Sequence, residues 1–72
     1  MSDQLTQDCP LSAKDIEIVE WVSVGKTAQE TADIIGSTVG SVKTKIQRAT
    51  LKTDTVNATS LVAKALRNGW IS

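Results

Sequence analysis

The 72-residue sequence has no histidine, tyrosine or phenylalanine, and only one cysteine, one proline and one methionine. Each absence removes a class of chemistry. Without histidine there is no imidazole to act as general base or metal ligand near neutral pH. Cys9 stands alone just before Pro10, so no internal disulfide and no cysteine-built zinc site can form, and no histidine can activate its thiol. Asp15 and Glu17 are two residues apart and would not face each other on a helix. No catalytic residue, metal site or cofactor is therefore expected. No apolar run approaches the roughly 18 residues that a membrane span needs. The N-terminal segment carries Asp3 and Asp8 instead of a basic, apolar leader, which gives a cytoplasmic expectation. A chain this short makes one domain, near the lower limit for a self-sufficient core.

Charge is present but segregated. Lysine plus arginine equals aspartate plus glutamate, so the formal net charge is zero. Residues 1–25 hold Lys14 against Asp3, Asp8, Asp15, Glu17 and Glu20. Residues 26–52 hold Lys26, Lys43, Lys45, Arg48 and Lys52 against Glu30 and Asp33. A basic stripe in one segment is either an ordinary solvated face or the footprint of an anionic partner.

The apolar spacing is helical throughout, with no alternating strand pattern. Residues 1–10 read as an N-terminal arm and 11–72 as an all-α domain of four helices. The first should be capped by Ser12, turn Ile16, Val19 and Val22 inward with Ile18 and Trp21 beside them, and stop at Gly25. The second opens at Thr27, where Thr27 and Glu30 make a capping-box pattern, faces Thr31, Ala32 and Ile35 inward, and stops at Gly36. The third should run from Thr38 to about Leu51, burying Val39, Val42, Ile46 and Ala49. Its outer side is centred on Thr44, Arg48 and Leu51, with Lys43 and Lys45 on the shoulders. The last should span about Asn57 to Asn68, with Val62, Ala65 and Leu66 inward and Trp70 and Ile71 folding back after Gly69.

Only Gly36, Ser37 and Thr38 join helices two and three. Ala32 permits close approach, Gly36 makes the turn, and Val42 plugs the angle, which is the spacing of a helix-turn-helix. The third helix is then the one presented to a DNA groove. Its small opening turn, Gly40-Ser41, lets that end sink in, and its N-terminal amides suit phosphate.

At these residues the sequence resembles the DNA-binding domain of LuxR-type regulators. The resemblance rests on Leu11-Ser12, Glu17, Gly25-Lys26-Thr27, Glu30, Ala32, Gly36 and Ser41-Val42-Lys43. It continues through Asn57, Val62-Ala63-Lys64-Ala65 and Gly69-Trp70-Ile71, so it covers residues 11–71 without a gap. Trp21 and the Gly-Trp-Ile end look most like the quorum-sensing branch. The resemblance implies a four-helix bundle, sequence-specific binding to palindromic promoter DNA and dimerisation through the last helix, and the short, mostly small or charged outer side of that helix makes the expected pairing weak. It implies base contacts from Lys43, Thr44 and Gln47, and phosphate contacts from Lys26, Thr27, Thr38, Ser41 and Lys45. Arg48 and Lys52 extend the cationic set, and Ser60, Ala63, Lys64 and Arg67 form the outer side of the last helix, the expected dimer seam. The expected partner is double-stranded DNA.

The sequence departs from the family at several positions. Thr31, Ser37 and Thr53 stand where the family carries apolar residues, which should weaken the core. Ala58 stands where an arginine pairs with the acid matched by Glu17, Leu51 replaces a lysine, and Lys45 replaces a histidine. Two other readings stand beside the regulator. Residues 42–49 also look like region 4 of sigma factors, which read promoter DNA. A free-standing domain of zero net charge can instead pair, as a heterodimer, with a related full-length regulator and antagonise it.

Overall fold

The computed structural model describes residues 9–72. Asp3, Asp8 and most of the expected arm lie outside the described residues. Four helices follow in order: α1 (Ala13–Ser23), α2 (Ala28–Ile35), α3 (Val39–Thr53) and α4 (Ala58–Arg67), with no strand among the described residues.

Local chemistry sets the boundaries. The Ser12 hydroxyl accepts from the Asp15 amide at 3.1 Å, and the Asp15 carboxylate accepts from the Ser12 amide at 3.2 Å. This closes a capping box on α1. Thr27 and Glu30 close a second on α2, at 3.1 and 2.9 Å. Asn57 and Ser60 close a third on α4, at 2.8 and 3.1 Å. Thr38 caps α3 by accepting from the Ser41 amide at 3.1 Å. Gly36 ends α2 at φ 71, a left-handed conformation that costs a side-chain-bearing residue more, and the Ser37 amide then reaches back to the Ala32 carbonyl at 2.8 Å. Asp54 takes the same left-handed conformation after α3, at φ 58.

Among the described residues, the buried apolar side chains form two clusters. One holds Ile18, Ala32 and Val42 at the crossing of α1, α2 and α3, with Val22, Ile35 and Val39 packed on it. The other holds Leu11, Val19, Ala49, Leu61, Ala65 and Ile71, and ties α4 and both flanking segments to α1 and α3. Ile46 packs against both.

Three expectations need correction. Ile16 and Val22 are half-buried and pack at the margins of the two clusters, while Val19 and Ile18, which was placed beside the inward stripe, are the innermost residues of α1. Leu66 faces outward at 48% exposure, and Leu61, at 1%, takes its place in the core. Helix α3 runs two residues past Leu51, to Thr53. Both misassigned helices are apolar on more than one side, so spacing alone allowed two rotations about the helix axis, and packing against the neighbouring helices selects one.

The three polar departures behave differently. Thr31 is fully buried and its hydroxyl finds no hydrogen-bond partner among the described residues. An unmet buried hydroxyl is costly. Thr53 is also buried, but its hydroxyl donates to the Ala49 carbonyl at 2.8 Å and meets the Thr55 hydroxyl at 2.9 Å. Ser37 is only half-buried.

Candidate nucleic-acid interface

The 15 residues of α3 make a rod about 22 Å long at ~1.5 Å per residue. Its inner side buries Val42, Ala49, Thr50 and Thr53. Positions 40, 43, 44, 47, 48, 51 and 52 are all exposed. These recur at helical spacing and form one continuous outer face. Lys43, Thr44 and Gln47 stand together on it, and Arg48 lies one turn on from Thr44. Lys45 and Ser41 are half-buried at its edge.

The turn that aims this face is the small cluster itself. Ala32 and Val42 are buried in one cluster with Ile18, as the alanine–glycine–valine spacing requires. A bulkier side chain at Ala32 would push α2 and α3 apart and tilt the outer face.

Polar groups around the helix starts are partly committed. Lys26, Thr27 and Thr38 are exposed, at the openings of α2 and α3. The Thr27 and Thr38 hydroxyls each accept from a cap amide. Each retains its own proton, which can be donated to an anion. The Glu30 carboxylate sits on the Thr27 amide, and that hydrogen bond holds its acid below the ordinary carboxylate range. The start of α2 therefore carries a fixed negative charge beside Lys26.

Two cations assigned to surface roles are tied inside the molecule. Lys52 donates to the Asp15 carboxylate at 3.2 Å, the one ion pair among the described residues. Burial pushes the Asp15 acid up, but the Ser12 amide, the Lys52 ammonium and the Ser12 hydroxyl together outweigh it and hold the acid below its ordinary value. Lys64 donates to the Thr53 carbonyl at 2.6 Å. Ser60, also placed on the expected dimer seam, spends its hydroxyl on the α4 cap. Ala63, Arg67 and the outward Leu66 remain on that side of α4, with Ala63 half-buried and the other two exposed. Glu17 is half-buried beside Glu20, Trp21 and Val24 in a shallow depression of α1.

The roles of Asp15 and Lys64 were not read from the sequence. Asp15 left a signal: Ser12 followed three residues later by an acid is a capping-box pattern. Lys64 left none, because its partner is a backbone carbonyl on another helix.

Comparison with known proteins finds transcriptional regulators among the sequences similar to this chain. RpaR of Rhodopseudomonas palustris, an HTH-type quorum sensing-dependent transcriptional regulator, is 41% identical over 61 residues, 85% of this chain and 25% of that protein. TraR of Rhizobium radiobacter, a transcriptional activator protein, is 35% identical over 61 residues, 85% of this chain and 26% of its own. VjbR of Brucella ovis, another HTH-type quorum sensing-dependent regulator, is 36% identical over 61 residues, 85% of this chain and 24% of its own. No family profile matches the chain, and no solved structure does. Its homologues are LuxR-family quorum-sensing transcriptional regulators, which matches the LuxR-type helix-turn-helix resemblance of the sequence. The chain spans about a quarter of the length of the curated relatives it matches.

Proposed function

We propose that this domain binds promoter DNA as a transcriptional regulator, with α3 in the major groove and two copies pairing through α4 on a palindromic site. The observation that carries the reading is the outer face of α3. Seven positions in helical register contribute nothing to the core, and the Ile18–Ala32–Val42 wedge holds that face outward. A helix presented this way matches the width of the major groove. Lys43, Thr44 and Gln47 read base edges near its centre. Lys26, Thr27, Thr38, Ser41, Lys45 and Arg48 hold phosphates around it. Lys52 contributes less than the others, because Asp15 already offsets its charge. Ala63, Leu66 and Arg67 provide a small contact between copies, so the isolated domain is monomeric at micromolar concentration and pairs on DNA.

Selection from a pool of random duplexes, followed by gel shift, tests this. The expected outcome is enrichment of an inverted-repeat site. Neutralising roughly three phosphates per copy implies about a thousandfold weaker binding for a fourfold rise in salt. If no duplex is retained above background, the reading fails and the heterodimer with a related regulator replaces it.

A further inference from the structure

We propose that Lys64 is a positioning residue for α3, locking the C-terminal end of the recognition helix onto α4; the proposal rests on the DNA-binding reading above. The last carbonyls of any α-helix lack partners within the helix. At the end of α3, the Thr50 carbonyl accepts from the Thr55 amide at 2.9 Å and the Leu51 carbonyl from the Asp54 amide at 3.4 Å. The Thr53 carbonyl is taken by the Lys64 ammonium at 2.6 Å, from eleven residues further on. A cation at this position also meets the negative end of the α3 dipole. The bond is charge-assisted, short and partly buried, which places it among the stronger kinds of hydrogen bond.

Among the described residues it is the one polar side-chain link between α3 and α4; the remaining contact is apolar, through Ala49, Leu61 and Ala65. Apolar packing resists separation but has little directionality, so it tolerates small rotations of one helix on the other. A directed bond to the terminal carbonyl restricts that rotation at the end of α3 farthest from the Thr38 cap. Lys64 thus connects the helix that faces DNA to the helix that faces a second copy. It supplies no charge to phosphate, and its ammonium points inward from the seam on which it was expected.

The test compares wild type with K64M, which keeps the apolar stem, and K64R, which keeps the donors. Hydrogen exchange is measured on the free protein, and binding to the selected duplex is measured over a salt series. In K64M the Thr53, Asp54 and Thr55 amides should exchange roughly tenfold faster, a loss of one charge-assisted hydrogen bond, while Ile18 and Ala32 keep their protection. Affinity should fall roughly fivefold with the salt slope unchanged, because no phosphate contact is lost. K64R should restore both readouts. Unchanged exchange at the end of α3 overturns the proposal, as does an even loss of protection throughout. A salt slope flattened by about one charge also overturns it, since Lys64 would then be a phosphate ligand. A wild type that binds no duplex overturns the DNA reading and the positioning role with it, whatever the exchange data show about the bond itself.

Discussion

The two core clusters differ in how they hold the molecule. The one beneath α4 has six buried residues, including Leu11, Leu61 and Ile71, and gathers the segments flanking the domain onto α1 and α3. The one inside the helix-turn-helix has three, Ile18, Ala32 and Val42. The second region also has Thr31 buried on α2 with its hydroxyl unmet. The half that aims α3 therefore rests on fewer fully buried side chains, Ile18 and Val42 around Ala32, with the half-buried Val22, Ile35, Val39 and Ile46 packed against them. Stability sits mainly in one half and the proposed reading surface depends on the other.

Substitutions should separate the halves. Leu61→Ala should produce the largest effect on stability, about 2–5 kcal/mol, because it empties the centre of the larger cluster. Ala32→Leu should cost less, about 1–3 kcal/mol from overpacking, yet harm DNA binding more, since it opens the α2–α3 angle. Urea unfolding gives the first quantity and gel shift the second. If Leu61→Ala proves the milder in urea and the more damaging to binding, the division between the halves is wrong.

Thr31→Val keeps the shape of the side chain and removes the unmet hydroxyl. It should stabilise the domain by about 1–2 kcal/mol. The same change at Thr53 removes a hydroxyl that donates to Ala49, and should give no gain. Equal gains at the two positions, read as midpoints in urea, would mean that hydrogen bonding does not distinguish them.

The smallest effect is a pH dependence at the junction of α1 and α3. The folded Asp15 acid lies below its unfolded value, so its contribution is complete above the ordinary carboxylate range. That contribution is lost as pH falls through the lowered value. Asp15→Asn should lower stability at neutral pH and make the acid limb of the stability curve shallower. An acid limb unchanged in the variant would show that the Lys52 pair and the Ser12 amide do not act through this carboxylate.

Much of this architecture was legible because it is written locally. Ser12, Thr27, Thr38 and Asn57 cap helices with atoms three residues away, and Gly25, Gly36 and Gly69 end them or follow them closely. The helix-turn-helix spacing of Ala32, Gly36 and Val42 is likewise a short-range pattern. The rotation of α4 was not legible. Leu61, Val62, Ala65 and Leu66 offer two overlapping apolar stripes, and only contact with Val19 and Ala49 decides between them. The outer face of α3 could be read because Lys43, Thr44, Gln47 and Arg48 share one side at fixed spacing. The fates of Lys52 and Lys64 could not, since Asp15 lies 37 residues from the first and the Thr53 carbonyl belongs to a different helix from the second.

The placement of α3 in the major groove is tested most directly by comparing Gln47→Ala with Lys45→Ala on the selected site and on random duplex. Gln47 is exposed on the outer face, where its amide can bond two edges of an adenine; Lys45 lies half-buried at the margin, where phosphate would pass. Gln47→Ala should cost about 1–3 kcal/mol on the selected site, relax preference at one base pair, and leave random binding nearly unchanged. Lys45→Ala should weaken both duplexes alike and flatten the salt slope by about one charge. Equal losses for both variants on both duplexes would make α3 an electrostatic anchor that reads no sequence. No loss from either would contradict the placement of α3 in the groove.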